Sequence, residues 1–277
     1  MSAIPFRKMH GLGNDFVVLD TRSRTLGIDA AAAKAIADRH TGIGCDQLII
    51  LEPAHSAAAD FFMRILNADG SEAGACGNAT RCVADLVMDE AGTGTITVET
   101  ISGLLPSRRG ADGLVTVDMG PALTDWRQIP LSHEADTRRV STGVPELPEA
   151  CCTSMGNPHA SFFVPDADAI DLARLGPRLE HHPLFPERAN IGVASLLGPD
   201  RLRLRVWERG AGLTLACGSG ACAALVAAAR LGLTGRRAEI VMECGALTIE
   251  WAADGHVLMT GPVATSFTGT IDLALAS

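Results

Sequence analysis

The chain has 277 residues, of which 47% are hydrophobic and 20% are charged, and its formal net charge is −9. This length suits one large domain or two of ordinary size, and the apolar content is enough for a packed core. The negative charge argues against nucleic acid or an anionic membrane surface as the main partner, although it says little about a small substrate.

The start of the chain, MSAIPFRKMHGLGNDF, lacks the apolar core of a signal peptide. No apolar run reaches the roughly 18 residues of a membrane-spanning helix. We therefore expect a cytoplasmic protein, whose eight cysteines are reduced thiols rather than a disulfide framework.

In the first half, three segments follow one another, each with a polar residue at a marked position. GLGNDFVVL carries Asn14, GIGCDQLIIL carries Gln47, and the strand-like FFMRIL ends just before Asn67. Cys76 follows in the stretch ACGNATRC, and a helical run, RCVADLVMDEAG, begins shortly after it. A turn and a strand, TITVETISGLL, are expected next.

The second half repeats this order. SMGNPHASFF carries Asn157, RANIGVASLL carries Asn190, and the strand-like RLRLRVW ends just before Glu208. Cys217 lies in ACGSGAC, 141 residues after the first cysteine, and is followed by the helical run ACAALVAAARLG and the segment AEIVMECGALTI. Arg64 and Arg205 also match at this spacing.

Five matched positions in one order indicate a long internal duplication, with a period far above that of a solenoid repeat. We predict an α+β fold of two similar domains related by a pseudo-twofold axis. The first domain is residues 1–120, completed by a strand in the tail 264–277, and the second is residues 121–263. The join is expected within VDMGPALTDW, at residues 117–126.

A cysteine and a glycine just before a helix combine two properties. Gly77 and Gly218 let the chain turn sharply. The first N–H groups of a helix have no partner within the helix and can hold a carboxylate, while the helix dipole favours a thiolate and should lower the cysteine pKa.

Two such turns, facing each other across a small amino acid, would place a sulfur on each face of its α-carbon. One thiolate could then remove the α-proton while the opposite thiol delivers another, which inverts the stereocentre. A reversible inversion needs two nearly equivalent bases, and this need would explain the duplication.

The other cysteines have a simpler interpretation. Cys45, Cys82, Cys222 and Cys244 are expected to be small buried hydrophobic residues. Cys151 and Cys152 lie in a probable strand and are given no role. The cysteine spacings do not match those of zinc sites, and neither of the two lysines has a setting that suggests a pyridoxal phosphate Schiff base. We expect no metal and no cofactor.

The chain closely resembles the diaminopimelate epimerases along nearly its whole length. The resemblance rests on MHGLGNDFVVLD, GIGCDQ, NADGSEAGACGNATRC, GNPH, ERANIG and ERGAGLTLACGSGAC. It implies a strongly curved, mostly antiparallel sheet around a central helix in each domain. It also implies a cofactor-independent interconversion of LL- and meso-diaminopimelate in lysine and peptidoglycan biosynthesis.

The resemblance also assigns residues. Cys76 and Cys217 are similar to the two proton-transfer cysteines, and His159 and Glu208 to residues that tune the cysteine pKa values. The residues that resemble substrate contacts are Asn14, Gln47, Asn67, Gly77, Asn78, Asn157, Asn190, Glu208, Arg209, Gly218 and Ser219. Arg209 would bind the distal carboxylate in bidentate fashion, and Glu208 would face an ammonium group.

The chain departs from the family pattern at two places. Ala75 and GNATR stand where the family more often has Met and GNGAR. The tail resembles the family's homodimer contact, but Phe267 stands where a tyrosine is usual, and the chain has no tyrosine. A dimer would therefore have to rest on apolar packing rather than on a hydroxyl group.

Three alternatives stay open from the sequence. A related racemase or epimerase for another amino acid, such as proline or hydroxyproline, would use the same paired cysteines. A non-catalytic amino-acid binding protein would not need both cysteines. A thiol redox protein is disfavoured because the chain has no CxxC pair.

Overall fold

A computed structural model describes residues 3–272 of the chain, so the last five residues of the predicted tail, 273–277, lie outside the described part. The described part of the chain divides into two compact units, of which one runs to residue 117 and resumes at residue 261, and the other is residues 118–260. No helix within residues 3–272 is long and apolar enough to cross a membrane.

The first unit is built mainly from strands. Its elements, in order, are β1 (Ile4–Gly11), β2 (Asn14–Asp20), α1 (Ala30–Ala37), β3 (Gln47–Glu52), β4 (Phe61–Asn67), β5 (Glu72–Ala73), α2 (Gly77–Ala91), β6 (Thr95–Thr100), β7 (Gly103–Arg109) and β8 (Val115–Pro121). Strands β2 and β3 are parallel, as are β4 and β6, and the other paired neighbours in this series are antiparallel.

The second unit has the same elements in the same order. They are β9 (Cys151–Ser154), β10 (Pro158–Phe163), α3 (Leu172–Glu180), β11 (Asn190–Gly198), β12 (Arg201–Glu208), β13 (Gly212–Thr214), α4 (Gly218–Arg230), β14 (Arg237–Met242), β15 (Gly245–Trp251) and β16 (His256–Gly261). Here β10 and β11 are parallel, as are β12 and β14, so the pairing pattern of the first unit recurs strand by strand. A last strand, β17 (Ala264–Ile271), pairs with β1.

A buried helix stands at the centre of each unit. Helix α2 packs against β1, β2, β6 and β7, and α4 packs against six strands of its own unit. Alanine is the most frequent residue in both helices, and most of their residues are buried, which is typical of a helix enclosed on all sides. The predicted α+β class, with each sheet around a central helix, is confirmed.

The segment after each central helix differs from the sequence expectation of one turn and one strand. It forms a two-stranded hairpin in each unit, β6–β7 and β14–β15, whose pairing closes at Thr100–Gly103 and Met242–Gly245. The glycine that opens the second strand has a φ of 123° in the first hairpin and 134° in the second, a conformation that side chains disfavour. The strand-rich composition alone does not reveal so tight a reversal.

The matched arginines hold equivalent loops. Arg64 donates to the carbonyl of Ile28, two residues before α1, and Arg205 donates to the carbonyl of Ile170, two residues before α3. Each arginine therefore fixes the entry of a short outer helix, and their repetition in the sequence reflects this structural role.

Candidate active site

The topology brings the predicted residues of the first unit to one edge of its sheet. Asn14 begins β2 and Gln47 begins β3, and these strands are parallel, so their starts lie side by side. Strand β4 runs antiparallel to β3 and ends at this edge with Asn67, directly opposite Gln47. Cys76 caps α2 with an extended backbone at φ −149°.

Cys76 lies in a group of amide side chains. Its Sγ is 3.8 Å from Oδ1 of Asn14, and Asn78 Nδ2 donates to the same oxygen at 3.3 Å. The thiol is partly exposed, while Asn78 is buried. Gly77 and Asn78 form the first turn of α2, where N–H groups point outward from the helix end.

The other two polar residues of this edge contact each other. Gln47 Nε2 donates to Asn67 Oδ1 at 2.9 Å, and Asn67 Nδ2 donates to Ser71 Oγ at 3.0 Å. Gln47 Oε1 is buried and accepts no hydrogen bond from any residue between positions 3 and 272. Such an acceptor is costly unless a ligand or water satisfies it.

The second unit places its residues at the equivalent edge. Asn157 directly precedes β10, Asn190 begins β11 and Glu208 ends β12, while Cys217 caps α4 with φ −128°. His159 lies opposite Asn190, and the same register position in the first unit is held by Phe16, opposite Gln47. The two sheet edges therefore have the same backbone arrangement but different side-chain charges.

The surroundings of Cys217 do not fit the expectation that a helix start lowers the cysteine pKa. Cys217 is 4% exposed, and burial, followed by the nearby Glu208 carboxylate, raises the pKa of its thiol well above the ordinary value. Gly220 N donates to Sγ at 3.3 Å and Ser219 Oγ lies 3.6 Å away. These contacts lower the pKa but do not outweigh desolvation.

A short polar chain leads from this cysteine turn to the buried histidine. Asn157 Nδ2 donates to Ser219 Oγ at 3.4 Å, and Asn157 Oδ1 is 3.0 Å from Nε2 of His159. Burial, followed by the charge of Arg209, lowers the pKa of His159 to about 3. The imidazole is therefore neutral, and Nε2 carries its proton if it donates to the asparagine oxygen.

Glu208 and Arg209 lie in the turn between β12 and β13. Thr214 Oγ1 donates to Glu208 Oε1 at 2.6 Å. The main-chain N–H of Arg209 donates to Asn190 Oδ1 at 2.9 Å, and its Nη1 donates to the carbonyl of Glu187 at 3.0 Å. Asn190 Nδ2 in turn donates to the carbonyl of Pro158. Through these two hydrogen bonds, Asn190 connects the turn that carries Glu208 and Arg209 to strand β10.

Glu180 supports the same turn, and sequence reasoning missed it. Its carboxylate accepts hydrogen bonds from Trp207 Nε1 at 2.8 Å and from the N–H of Gly210 at 2.9 Å, and it pairs with Arg188. Glu180 ends α3 on the stripe that contains the buried Leu172 and Leu179. An acidic residue at a core position of an amphipathic helix is the signal that could have found it.

The remaining cysteines follow expectation with one exception. Cys45, Cys82 and Cys222 are buried, and burial raises the pKa of Cys82 to about 12. Cys244 is exposed, so the expectation of a buried residue was wrong there. It lies in the tight turn between β14 and β15, which keeps its side chain out of the core.

A cavity of about 180 Å³ adjoins Cys217 within the second unit. Its apolar lining includes Leu204, Val206, Leu213, Leu215 and Met242.

Phe267, the predicted dimer contact, lies on β17, where it pairs with Lys8 and is 50% exposed. Its ring meets that of Phe6 edge to face at 5.9 Å. The aromatic face is therefore partly covered from within the same unit.

The fold defines a class of proteins. The structure matches that of a probable proline racemase from Agrobacterium radiobacter K84 with a TM-score of 0.69 and 16% identity, covering 98% of this chain and 93% of the other. It matches a hydroxyproline epimerase from Agrobacterium vitis with a TM-score of 0.68 and 16% identity, covering 98% and 91%. At such identities the likeness shows the fold alone, which is the two-domain fold of the diaminopimelate epimerase-like proteins.

The particular family follows from closer relatives. The family model described as diaminopimelate epimerase matches residues 6–124 and 151–266. A diaminopimelate epimerase of Rhodospirillum centenum is 67% identical over 98% of this chain and 93% of its own length. Another, of Acidiphilium cryptum, is 60% identical over 99% of this chain and 98% of its own. The chain belongs to the diaminopimelate epimerase family, whose members are isomerases.

Proposed function

We propose that the protein interconverts LL- and meso-diaminopimelate, in lysine and peptidoglycan biosynthesis, by proton transfer between two cysteines and without a metal or pyridoxal phosphate. The observation that carries the proposal is the placement of Cys76 and Cys217 at the first turn of equivalent central helices, in a chain of this family.

The two cysteines serve opposite faces of one α-carbon. One thiolate removes the α-proton and becomes a thiol, and the other thiol gives its proton to the opposite face and becomes a thiolate. Between the two steps, negative charge develops on the α-carbon and spreads into its carboxylate. The N–H groups of Gly77, Asn78, Gly218 and Ser219, at the two helix starts, would stabilise that carboxylate.

The raised pKa of Cys217 gives this residue a definite resting state. Below that pKa its thiol carries the proton that the reaction must deliver, so Cys217 is the acid when Cys76 is the base. In the reverse direction its thiolate is scarce, but a thiolate of raised pKa is a stronger base toward an α-proton. An ammonium group of the substrate beside Glu208 would lessen the repulsion that disfavours that thiolate.

The polar residues suit a substrate with two carboxylates and two ammonium groups. Arg209 supplies a guanidinium for the distal carboxylate, and Glu208 a carboxylate for an ammonium group. The buried Gln47 Oε1 would accept a hydrogen bond from an ammonium group. Asn14, Asn67, Asn157 and Asn190 can each donate and accept without adding net charge.

The direct test is to incubate the purified, reduced protein with LL-diaminopimelate in deuterated water and to separate the isomers by chiral chromatography. The meso isomer should form with deuterium at the inverted α-carbon, while recovered LL substrate stays largely unlabelled early in the reaction. Extensive early label in the substrate, or unlabelled product, would contradict two opposed bases.

The same assay separates the alternative substrate class. L-proline and trans-4-hydroxy-L-proline are offered to the protein under identical conditions. Inversion of either amino acid, without formation of meso-diaminopimelate, would assign the protein to a different racemase or epimerase activity. The cytoplasmic location, the homodimer and the absence of a cofactor stay predictions.

A further inference from the structure

A chain of side-chain hydrogen bonds runs behind Cys76 in the first unit. Arg81 Nη2 donates to Asn78 Oδ1 at 2.9 Å, Asn78 Nδ2 donates to Asn14 Oδ1 at 3.3 Å, and Asn14 Nδ2 donates to Asp46 Oδ2 at 2.9 Å. The two asparagines lie between a group that can only donate and a group that can only accept.

The chemistry of the two end groups fixes the direction of both amides. A guanidinium has no acceptor, so the oxygen of Asn78 must face Arg81 and its nitrogen must face Asn14. An ionised carboxylate has no donor, so the nitrogen of Asn14 must face Asp46. The oxygen of Asn14 is then left on the side of Cys76, at 3.8 Å from Sγ.

Arg81 and Asp46, the groups at the two ends of this hydrogen-bond chain, are themselves held in place by their surroundings. Arg81 is fully buried in α2, and a Cβ on Gly11 would lie 3.0 Å from its Nη2, so the glycine leaves room for the guanidinium. Asp46 is bound by Arg39 at 2.7 Å and by the N–H of Asp15 at 3.1 Å.

The other charged groups at this edge belong to the same network. Asp15 pairs with Lys8 and, at 2.7 Å, with Arg39. Burial would raise the pKa of Asp15, but hydrogen bonds from Arg39 and Lys8 hold that pKa below its usual value. The carboxylate of Asp15 is therefore charged at neutral pH, and Arg39 bridges it to Asp46.

We infer that Asp46 and Arg81 are positioning residues, which orient the Asn14 amide so that its oxygen, and not its nitrogen, faces the sulfur of Cys76. An acceptor at this place binds the thiol and disfavours the thiolate, so the pair favours the protonated form of Cys76 and aims its S–H bond in the direction in which Cys76 is the acid. The second unit has neither residue, because Ala189 precedes β11 and Cys222 is the fifth residue of α4. The orientation of Asn157 rests instead on His159 and Ser219.

The test measures Cys76 itself and needs no substrate. Its alkylation by iodoacetamide is followed by peptide mass spectrometry as a function of pH, in the wild type, Asp46→Ala and Asp46→Asn. Asp46 is 45% exposed, so the fold should survive its removal, and Asp46→Asn is the conservative control because its amide oxygen can still accept from Asn14. In Asp46→Ala, where no acceptor remains at position 46 and Asn14 can turn its nitrogen toward sulfur, the alkylation midpoint should move to lower pH, with about tenfold faster alkylation below the midpoint.

Removal of a carboxylate also changes the electrostatic field at Cys76, so a double-mutant cycle is required. In the Asn14→Ala background, Asp46→Ala should no longer shift the midpoint, because the amide that transmits the effect is gone. A direct charge effect would persist in that background and would weaken in high salt. An unshifted midpoint in Asp46→Ala, or the same shift without Asn14, would overturn the inference.

The consequence for turnover rests on the proposed epimerase function. In Asp46→Ala, kcat should fall with little change in KM in the direction in which Cys76 is the acid, because the misdirected thiol is not itself a binding group. A protein without epimerase activity that still shows the alkylation shift would refute the proposed function and leave the positioning role intact.

Discussion

The two cysteine turns share one backbone but differ in their environment. Cys76 is partly exposed and lies among neutral amides, whereas Cys217 is buried beside a carboxylate that helps to raise its pKa. At matched positions, Asn67 corresponds to Glu208 and Phe16 corresponds to His159. The repeat therefore keeps the backbone of the turn, while the residues at the two edges make the turns chemically unequal.

The difference has a chemical use if the substrate has a reacting end and a distal end. The reacting centre needs a base or an acid on either side, which the equivalent helix starts would provide. The distal end needs charged partners, and a pair of them on one side fixes which way the substrate lies. In the second unit, Glu208 and Arg209 would supply these charges, and Asn190 binds the main chain of Arg209.

The largest expected effect comes from removing either sulfur. Cys76→Ala and Cys217→Ala should each lower kcat by about a thousandfold or more, because each variant lacks one acid or base of the reaction. The measurement is epimerisation started from each isomer. Cys82→Ala and Cys222→Ala are matched controls on the same helices, and should cost about 1 kcal/mol of stability while leaving the rate nearly unchanged. An active Cys217→Ala enzyme would contradict the assignment.

A smaller loss of activity is expected when Arg209, in the turn between β12 and β13, is replaced. Arg209→Ala should lower kcat/KM for diaminopimelate by roughly ten- to a hundredfold, since it removes a charge-assisted contact worth about 1.5–3 kcal/mol. Arg209→Lys keeps the charge but loses the two-pronged geometry and should recover only part of the activity. If kcat/KM is unchanged in Arg209→Ala, this residue does not bind the substrate.

The sequence predicted the parts of this arrangement that are local or repeated. A cysteine, a glycine and an apolar run predicted a helix shortly after each cysteine, and the helices begin at Gly77 and Gly218, slightly before the predicted apolar runs. The pKa of Cys217 was predicted in the wrong direction, because burial is a property of the folded chain and outweighs the helix end. Asp46 and Glu180 were missed since their partners lie at distant positions, 32 residues away for Asn14 and 30 for Gly210.

The buried histidine should make the second unit sensitive to acid. The pKa of His159 is about 3 in the folded protein and 6.5 when unperturbed, so the unfolded chain binds more protons between these values. The contribution of His159 to stability must therefore fall as pH drops from about 6.5 toward 3. His159→Phe, which installs the residue of the first unit, removes this contribution. Between about pH 7.5 and 4.5, urea unfolding should show the wild type losing about 2–3 kcal/mol more than the variant. Equal losses would mean that His159 is protonated in the folded state.

The smallest and most selective effect should come from exchanging charge between the two edges. Glu208→Gln keeps the acceptor for Thr214 but removes the carboxylate that repels a thiolate at Cys217, so the pH midpoint for alkylation of Cys217 should fall. Asn67→Glu is the reciprocal change, and it should raise the midpoint of Cys76 if the two edges are equivalent in geometry.

Each variant also contains its own control, because the cysteine of the unchanged unit should keep its midpoint. Burial contributes more than Glu208 to the raised pKa of Cys217, so Glu208→Gln should not bring the two midpoints together. If it does, charge rather than burial separates the two thiols. If neither substitution moves a midpoint, the Glu208 carboxylate acts on the substrate alone and not on Cys217. The difference between the two cysteine thiols then comes entirely from their different exposure to water.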